Sequence, residues 1–377
     1  MKVFVAIDSF KGSLSSMQAG NAVKEAVLQV DPGAEVTVLP IADGGEGTVE
    51  ALCAGLGGEL QEVTVSGPLG DPVKAQYCIL PDGKTAVMEM SAAAGITLIP
   101  ASSRNPMLTT TYGVGEIIAD AISRGCRHFI VGIGGSATND GGVGMLSALG
   151  FRFLDGKGEP ISAGAAGLEK LASICLDEVL PQLKECTFRI ACDVTNPLCG
   201  EKGCSAVYGP QKGADQEMIR KMDAWLNRYA DLVSSVFPGA DKEYPGVGAA
   251  GGLGFAFRSF LNGELQSGIQ IILDEIKVEK YIKNADIVVT GEGRLDYQTV
   301  MGKAPVGIAN IAKKHGKKVI AFSGCLGENA AVCNDHGIDA FFPILPGVMT
   351  LDEAMNPETA YDNLRNTAVQ VFRLMCL

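Results

Sequence analysis

The segment VFVAIDSFKGS, residues 3–13, indicates how this chain folds. Its first five residues, Val3–Ile7, are an apolar run with β-branched side chains, and the polar residues Asp8 and Ser9 follow at once. Such a run is typical of a strand that is buried on both faces of a parallel sheet. Met17–Val30 then carries apolar residues at helical spacing, and Val36–Ile41 is a second strand-like run. This order predicts a βαβ unit.

The C-terminal part of the chain repeats the pattern. Ile287–Val289, Val319–Phe322 and Ala340–Leu345 are apolar runs separated by helical segments. The first run leads into Thr290–Gly293 and the second into Ser323-Gly324, which we interpret as strand-end turns. Two runs at the start and three at the end predict one doubly wound, five-stranded parallel sheet.

The middle of the chain, residues 63–282, shows a different pattern. Val63–Val65, Ala75–Leu80 and Ala86–Met90 are joined by Gly, Pro and Asp residues, which predicts an antiparallel meander. Gly83-Lys84-Thr85 resembles the end of a P-loop, but the upstream glycine position is Cys78, so a hairpin turn is the better interpretation. Further strand-like runs are Phe129–Ile133, Phe151–Leu154 and Phe188–Cys192, and helices are predicted around Tyr112–Ser123 and Gln216–Val236.

These patterns predict an α/β fold of two domains. Residues 1–62 and 283–377 form the first domain, and residues 63–282 form a second α/β domain with a mixed sheet that interrupts it. The length of 377 residues agrees with two domains, since one domain usually spans ~100–200 residues. Two consecutive domains are the alternative that composition leaves open.

Charge and composition exclude several classes of protein. The chain has 43 acidic and 31 basic side chains, with a formal net charge of −12, and it lacks the concentrated basic face of a nucleic-acid binder. Eleven irregularly spaced cysteines and three histidines do not suit a zinc site. We find neither a signal-peptide core nor an apolar stretch of ~18 residues, so we expect a cytoplasmic protein without membrane partners.

Acidic, basic and glycine residues are concentrated directly after the apolar runs. In open α/β sheets, ligands bind beyond the carboxyl ends of the strands. Carboxylates crowded there repel one another unless Mg²⁺ and nearby lysines or arginines offset their charge, and this combination suits phosphoryl transfer. The segments concerned are residues 8–13, 43–48, 132–142, 192–197, 291–296 and 323–325.

Two alternatives of other classes remain open at this point. Gly132–Ala137 fits a loose GxGxxA dinucleotide-binding pattern, with Asp155 about 20 residues further on, as in NAD-dependent hydroxyacid oxidoreductases. The loop continues with polar residues to Gly142, however, whereas a dinucleotide-binding loop usually enters its helix at once. A non-catalytic sensor of sugar acids is the second alternative, although it leaves the clustered carboxylates and lysines unexplained.

Eight motifs along the chain resemble those of the bacterial glycerate kinase family over essentially its whole length. This resemblance implies ATP-dependent phosphorylation of D-glycerate with Mg²⁺, with 2-phosphoglycerate favoured over 3-phosphoglycerate as product. It also implies a flavodoxin-like domain split by an α/β insertion. The motifs are DSFKGS (8–13), ADGGEGT (42–48), GIGGSATNDGG (132–142), CDVTNPL (192–198), GPQKGA (209–214), GAAGGLG (248–254), GEGRLDYQT (291–299) and GKAP (302–305).

Position and chemistry suggest roles for single residues. Lys11 is predicted to neutralise the transferring phosphate, and Asp296 to accept the proton of the attacking hydroxyl. Arg294 is predicted to bind the glycerate carboxylate, because its guanidinium can pair with both oxygens. Asp193 is the predicted Mg²⁺ ligand.

The remaining predicted site residues bind one substrate or the other. Asp8, Ser9, Asp43 and Glu46 are predicted to contact glycerate or complete the metal site. The predicted nucleotide-binding residues are Gly134, Gly135, Ser136, Thr138, Asn139 and Lys212. For Gly248–Gly254, both nucleotide contact and close helix packing are possible, with packing slightly favoured.

Overall fold

The computed structural model describes residues 1–42 and 47–377. Within these residues the chain divides into two compact units. The first unit contains residues 1–42, Glu50–Leu56 and Ile269–Leu377, and the second contains residues 47–49 and Gly57–Gly268. The predicted domain limits after residues 62 and 282 stay predictions. Nowhere in the described ranges is a helix long and apolar enough to cross a membrane.

Strands and helices alternate through much of the chain. The strands are β1 (Lys2–Val5), β2 (Glu35–Val38), β3 (Glu59–Ser66), β4 (Pro72–Ile79), β5 (Thr85–Glu89), β6 (His128–Gly132), β7 (Arg152–Asp155), β8 (Leu171–Cys175), β9 (Thr187–Ala191), β10 (Glu264–Gln266), β11 (Ile287–Leu295), β12 (Lys318–Leu326) and β13 (Ala340–Pro343). The α-helices are α1 (Ser16–Val30), α2 (Thr48–Leu56), α3 (Ser91–Ala94), α4 (Tyr112–Ser123), α5 (Val143–Ala148), α6 (Cys204–Tyr208), α7 (Gln216–Val236), α8 (Ala249–Leu261), α9 (Gly268–Glu275), α10 (Val278–Asn284), α11 (Ala304–Lys314), α12 (Val332–Asp335), α13 (Leu351–Met355) and α14 (Pro357–Met375). Short 3₁₀ helices lie at Ile96–Leu98, Ala101–Ser103, Ala165–Lys170, Pro181–Glu185, Pro210–Lys212 and Thr299–Met301.

The first unit is built on the predicted five-stranded parallel sheet. Its order is β13-β12-β11-β1-β2, and every neighbouring pair is parallel. Counted along the chain within this sheet, the order is 2-1-3-4-5, which is the flavodoxin-like order. Val3 and Val5 of β1 pack in one core with apolar residues of α1 and α14. Phe4, on the opposite face, stacks against Tyr281 of α10, so helices cover both faces of the sheet.

Two strand ends differ from the prediction. Gly291–Gly293 and Ser323-Gly324 do not form turns but continue β11 and β12, with Glu292 in register with Ser323. The glycines permit this close pairing, since a β-carbon on Gly291 would lie 2.1 Å from Phe322 O and one on Gly324 would lie 2.6 Å from Gly293 O. Their role is close approach of two strands and not chain reversal.

The second unit contains a six-stranded mixed sheet of order β10-β9-β6-β5-β4-β3. The pairs β3–β4 and β4–β5 are antiparallel, which confirms the meander, whereas β5, β6, β9 and β10 run parallel. Helices α4, α5, α7 and α8 share one core with this sheet. The N-cap residue of α7, Asp215, accepts hydrogen bonds from Glu217 N and Met218 N. Trp225, on the same helix, is buried in the core. A separate antiparallel pair, β7–β8, completes the unit.

Candidate active site

In the first unit, the structure brings the motif after β1 against the end of β11. Asp8 is 5% exposed; its N–H donates to Gly291 O at 2.9 Å, and its Oδ1 accepts from Ser9 N at 2.7 Å. Lys11 is exposed in a tight turn closed by a hydrogen bond from Phe10 N to Leu14 O. A β-carbon on Gly293 would lie 3.6 Å from Lys11 N, so the two motifs are neighbours, as strand ends in a parallel sheet should be.

The residues predicted to bind and deprotonate glycerate form an ion pair. Arg294 Nε lies 3.2 Å from Asp296 Oδ2. The arginine side chain is 62% exposed and the aspartate side chain is 10% exposed. The guanidinium therefore faces solvent, whereas the carboxylate is largely buried. Asp296 Oδ1 accepts from Gln298 N at 2.9 Å. This pair places a cation and a base side by side at the end of β11.

Gly327 fixes the room available to this pair, and sequence reasoning missed it. A β-carbon on Gly327 would lie 2.6 Å from Arg294 Nε and 2.7 Å from Asp296 Cβ. A side chain at this position would therefore displace one of the two residues. No local signal distinguishes Gly327 from a turn glycine, because the close approach involves a different strand.

A network of buried and partly buried polar side chains, Glu292, Thr299 and Lys303, is formed by residues on either side of the Arg294–Asp296 pair in the sequence. Glu292 is 7% exposed; its Oε1 accepts from Thr299 Oγ1 at 2.7 Å, and its Oε2 lies 3.2 Å from Lys303 Nζ. Burial raises the pKa of Glu292, although the Thr299 hydrogen bond and the Lys303 charge both act against that rise. The motifs GEGRLDYQT and GKAP therefore meet in one network.

In the second unit, the predicted nucleotide loop follows β6. Gly134 and Gly135 are exposed at its start, whereas Ser136 is 8% exposed and Thr138 and Asn139 are fully buried. Asn139 Nδ2 donates to Ser205 Oγ at 2.8 Å. Thr138 Oγ1 and Asn139 Oδ1 are buried without a hydrogen-bond partner in the described part of the chain. Only the first residues of the loop are thus accessible to a ligand.

Lys212 lies under this loop and not in solvent. Its Nζ donates to Ser136 Oγ at 2.7 Å and to Thr138 O at 2.6 Å, and the residue is 2% exposed. Burial lowers the pKa of Lys212 to about 8, a shift that nearby Cys204 and Asp140 oppose. Lys212 contacts the backbone and hydroxyl of the loop whose glycines are exposed. Direct contact with nucleotide phosphates stays a prediction.

The hydrogen bonds of Asp140, at the end of the loop, indicate a structural role for this residue. Its carboxylate accepts from Thr111 N, Thr111 Oγ1, Gly142 N and Gly144 N at 2.8–3.2 Å. Burial raises the pKa of Asp140, and these hydrogen bonds counteract the rise. Because it is buried and accepts four hydrogen bonds from Thr111, Gly142 and Gly144, this carboxylate stabilises the start of α5.

The stretch Gly248–Gly254 packs against the same loop. Ala250, Gly251 and Gly252 have positive φ values and kink the start of α8. Gly141 N donates to Gly251 O at 3.0 Å, and a β-carbon on Gly251 would lie 2.1 Å from Thr138 O. The small residues allow two backbones to approach, which accounts for them without a ligand.

The predicted metal ligand Asp193 lies just beyond β9 and is exposed. Its Oδ1 accepts from Gly268 N at 3.1 Å. Over residues 1–42 and 47–377, no group of three or more His, Cys, Asp and Glu side chains could hold a metal ion. An exposed carboxylate still fits Mg²⁺, which typically takes one or two protein carboxylates together with substrate phosphates and water. Asp43 and Glu46 lie outside the described residues.

The dinucleotide-binding alternative does not fit the structure. Helix α5 begins only at Val143, and Asp155 belongs to the separate β7–β8 pair and not to a strand beside β6. The Asp155 carboxylate accepts from Lys157 N and Glu159 N, which closes a local turn. The fingerprint requires a helix directly after the glycines and an acid at the neighbouring strand of the same sheet.

Comparison with known proteins identifies the family. The model of the glycerate kinase family matches residues 3–376. Glycerate 2-kinase from Escherichia coli (strain K12) is 46% identical over 364 residues, which cover 97% of this chain and 95% of that protein. Glycerate kinase from Haemophilus influenzae is 46% identical over 375 residues, covering 100% of this chain and 99% of that protein. A crystal structure from Salmonella typhimurium LT2, which carries the provisional name glycerate kinase 2, has a TM-score of 0.92 and 44% identity, covering 100% of this chain and 98% of that chain. The motifs, the fold and these relatives agree that the chain belongs to the glycerate kinase family.

Proposed function

We propose that this protein transfers the γ-phosphoryl group of ATP to D-glycerate and releases ADP and 2-phosphoglycerate, with Mg²⁺ as cofactor. The family match across residues 3–376 carries the proposal. The 2-position is favoured because the Escherichia coli relative, 46% identical, is named a glycerate 2-kinase. The Arg294–Asp296 pair supports an anionic substrate whose hydroxyl must lose a proton.

Glycerate binding is assigned to the first unit. The exposed Arg294 guanidinium pairs with both oxygens of the substrate carboxylate, which is the strongest geometry for this ion pair. Asp8 and Ser9, beside the end of β11, orient the substrate hydroxyls. Asp43 and Glu46 remain predicted partners of glycerate or of the metal site.

Asp296 is assigned the proton transfer. Its carboxylate accepts the proton of the attacking hydroxyl while that oxygen forms a bond to the γ-phosphorus and the bond to the ADP oxygen breaks. Lys11, exposed beside Gly293, offsets the negative charge of the transferring group. The positions of both groups at one sheet edge support these roles.

Nucleotide and metal binding are assigned to the second unit. The exposed backbone at Gly134 and Gly135 offers N–H groups to phosphate oxygens, and Ser136, Thr138, Asn139 and Lys212 support that loop. Asp193 would hold Mg²⁺, and the ion would supply positive charge to the phosphates. The hard oxygen donor and its exposure support this assignment.

Product analysis tests the proposal. The purified protein is incubated with ATP, Mg²⁺ and D-glycerate, and ³¹P and ¹H NMR then distinguish 2-phosphoglycerate from 3-phosphoglycerate. We expect stoichiometric ADP and the 2-isomer, with turnover abolished by EDTA and restored by added Mg²⁺. Glycerate binding without ADP release would support a sensor instead. Formation of the 3-isomer would contradict only the regiochemistry.

Two further properties belong to the same proposal. We place the protein in the cytoplasm, where cell fractionation should find it, and we expect small-molecule partners and no nucleic acid. The net charge of −12 supports the latter, because phosphate backbones repel an acidic protein. Retention on a nucleic-acid column at physiological salt would contradict it.

A further inference from the structure

One buried hydroxyl joins two carboxylate residues at the end of β11. Thr299 is fully buried; its Oγ1 donates to Glu292 Oε1 at 2.7 Å and accepts from Asp296 N at 3.1 Å. A hydroxyl has one proton to donate, and Glu292 takes it, which leaves the oxygen lone pairs free for the Asp296 N–H. The backbone position of Asp296 therefore depends on where Glu292 holds the threonine.

The position of Glu292 is fixed by the sheet and by an ion pair. It lies within β11, an inner strand of the sheet, in register with Ser323 of β12. Its second oxygen is 3.2 Å from Lys303 Nζ, at the N-cap of α11. A buried carboxylate without a partner is strongly destabilising, so the Thr299 hydrogen bond and the Lys303 charge together stabilise Glu292 at this position.

The link ends in a compact turn. Thr299 N donates to Asp296 O at 3.1 Å, and Gln298 N donates to Asp296 Oδ1 at 2.9 Å. The carboxylate of Asp296 is thus held by Gln298, and its backbone by Thr299. Loss of the Thr299 hydroxyl would leave the Asp296 N–H without this acceptor and loosen the turn.

We infer that Glu292 and Thr299 are positioning residues, which fix Asp296 in the geometry that phosphoryl transfer needs. The inference rests on the proposed function, in which Asp296 accepts the substrate proton. A displacement of about 1 Å in a reacting group can lower turnover by up to about 100-fold. The effect should fall on kcat, with little change in KM for ATP, because neither residue belongs to the predicted nucleotide-binding set.

Thr299→Val and Thr299→Ser form the matched pair for the test. Valine keeps the shape and removes the hydroxyl, and we expect kcat to fall about tenfold while KM for ATP stays within about twofold. Serine restores the hydroxyl and should recover most of the turnover. Glu292→Asp is a second probe, because it keeps a negative charge near Lys303 but shortens the reach to Thr299; it should lower kcat to a similar extent. Thermal melting verifies that each variant is folded.

The decisive measurement is coupling to Asp296. In an Asp296→Asn background, Thr299→Val should lower kcat no further, because the group that it positions has already lost its function. A full tenfold additional loss in that background would overturn the inference, as would wild-type kcat in both Thr299→Val and Glu292→Asp. Wild-type turnover in Asp296→Asn alone would refute the role proposed for Asp296 as well. Low turnover in Asp296→Asn together with wild-type kcat in both Thr299→Val and Glu292→Asp would refute the positioning role and leave the role of Asp296 intact.

Discussion

Lys212 Nζ lies 2.7 Å from Ser136 Oγ, and this hydrogen bond joins a buried cation to the loop that follows β6. The second acceptor of Lys212 is the backbone oxygen of Thr138, so the ammonium group bridges two residues of one loop. A charge this well buried destabilises the folded state unless its partners compensate. The pKa of Lys212, lowered to about 8, indicates that its polar partners only partly offset the cost of burying the charge.

Lys212→Met should change how stability depends on pH. The pKa of Lys212 is about 8 in the folded protein and 10.5 in its ordinary state, so between these values the unfolded chain binds more protons. Rising pH therefore stabilises the wild type. We expect its free energy of unfolding, relative to that of Lys212→Met, to increase by about 3 kcal/mol as pH rises from about 8 to 10.5, and this gain is lost as pH falls back to the folded-state pKa of about 8. Denaturant titrations from pH 7 to pH 10.5 measure this difference.

The control is Lys157→Met, which removes an exposed lysine of a surface turn in the same unit. Subtracting its pH profile corrects for the general loss of one lysine. A constant difference between wild type and Lys212→Met over this pH range would show that the folded protein leaves the pKa of Lys212 unchanged.

Gly251→Ala should destabilise the second unit by at least about 2 kcal/mol. The new methyl group would meet Thr138 O at 2.1 Å, and Gly251 has a φ of +65°, which disfavours a side chain. Gly156→Ala is the matched control, because a β-carbon there meets nothing within 4 Å. Chemical denaturation of both variants provides the comparison. Equal stability would mean that the loop and α8 can move apart freely.

Asp296→Asn should lower kcat by about 100-fold or more while leaving the fold intact. The amide oxygen can still accept from Gln298 N, so the turn persists, but it cannot take a proton. Steady-state ADP release with D-glycerate measures turnover, and thermal melting measures folding. Turnover near that of the wild type would remove Asp296 from the proposed role.

Arg294→Lys should raise KM for D-glycerate by about tenfold or more, with a smaller effect on kcat. Lysine keeps the charge but loses the planar fork that can bind both carboxylate oxygens. Arg365→Lys, at an exposed ion pair with Asp362 on α14, is the control and should leave KM unchanged. An unaltered KM in Arg294→Lys would assign the glycerate carboxylate to another group.

Gly327→Ala should impair both kcat and glycerate binding, each by roughly tenfold. The added methyl group would lie within 2.7 Å of Arg294 Nε and Asp296 Cβ, so one partner of the pair has to move. At Gly347, in the same unit, a β-carbon meets nothing within 4 Å, and Gly347→Ala should leave kinetics unaltered. If both alanine variants behave alike, the space beside the Arg294–Asp296 pair is not restrictive.

The fold of both units was largely predictable from local pattern. Short β-branched runs such as Val3–Ile7 are typical of strands buried on both faces of a sheet, and turn residues between Val63 and Met90 indicate a meander. The exception is informative. Gly291 and Gly324 looked like turn residues, yet they lie inside paired strands. A glycine signals close approach, and the sequence does not reveal which backbone approaches.

The candidate site could be predicted only as a set of strand-end motifs. Asp8, Lys11, Arg294 and Asp296 follow apolar runs, and parallel strands align their ends, so their proximity was foreseeable. Glu292 and Thr299 were visible as polar residues, but their hydrogen bond was not. Gly327 gave no signal, since its neighbours belong to another strand.

By itself, the sequence determined where most strands and helices form, because periodicity and turn chemistry act over a few residues, but it did not show that Gly291 and Gly324 continue their strands. Tertiary structure alone decided that Lys212 is buried under Ser136, 76 residues away, and that Gly251 meets Thr138. The free energy of a charge or a methyl group depends on the atoms packed around it. Those atoms come from distant parts of the chain and are brought together only when the core forms.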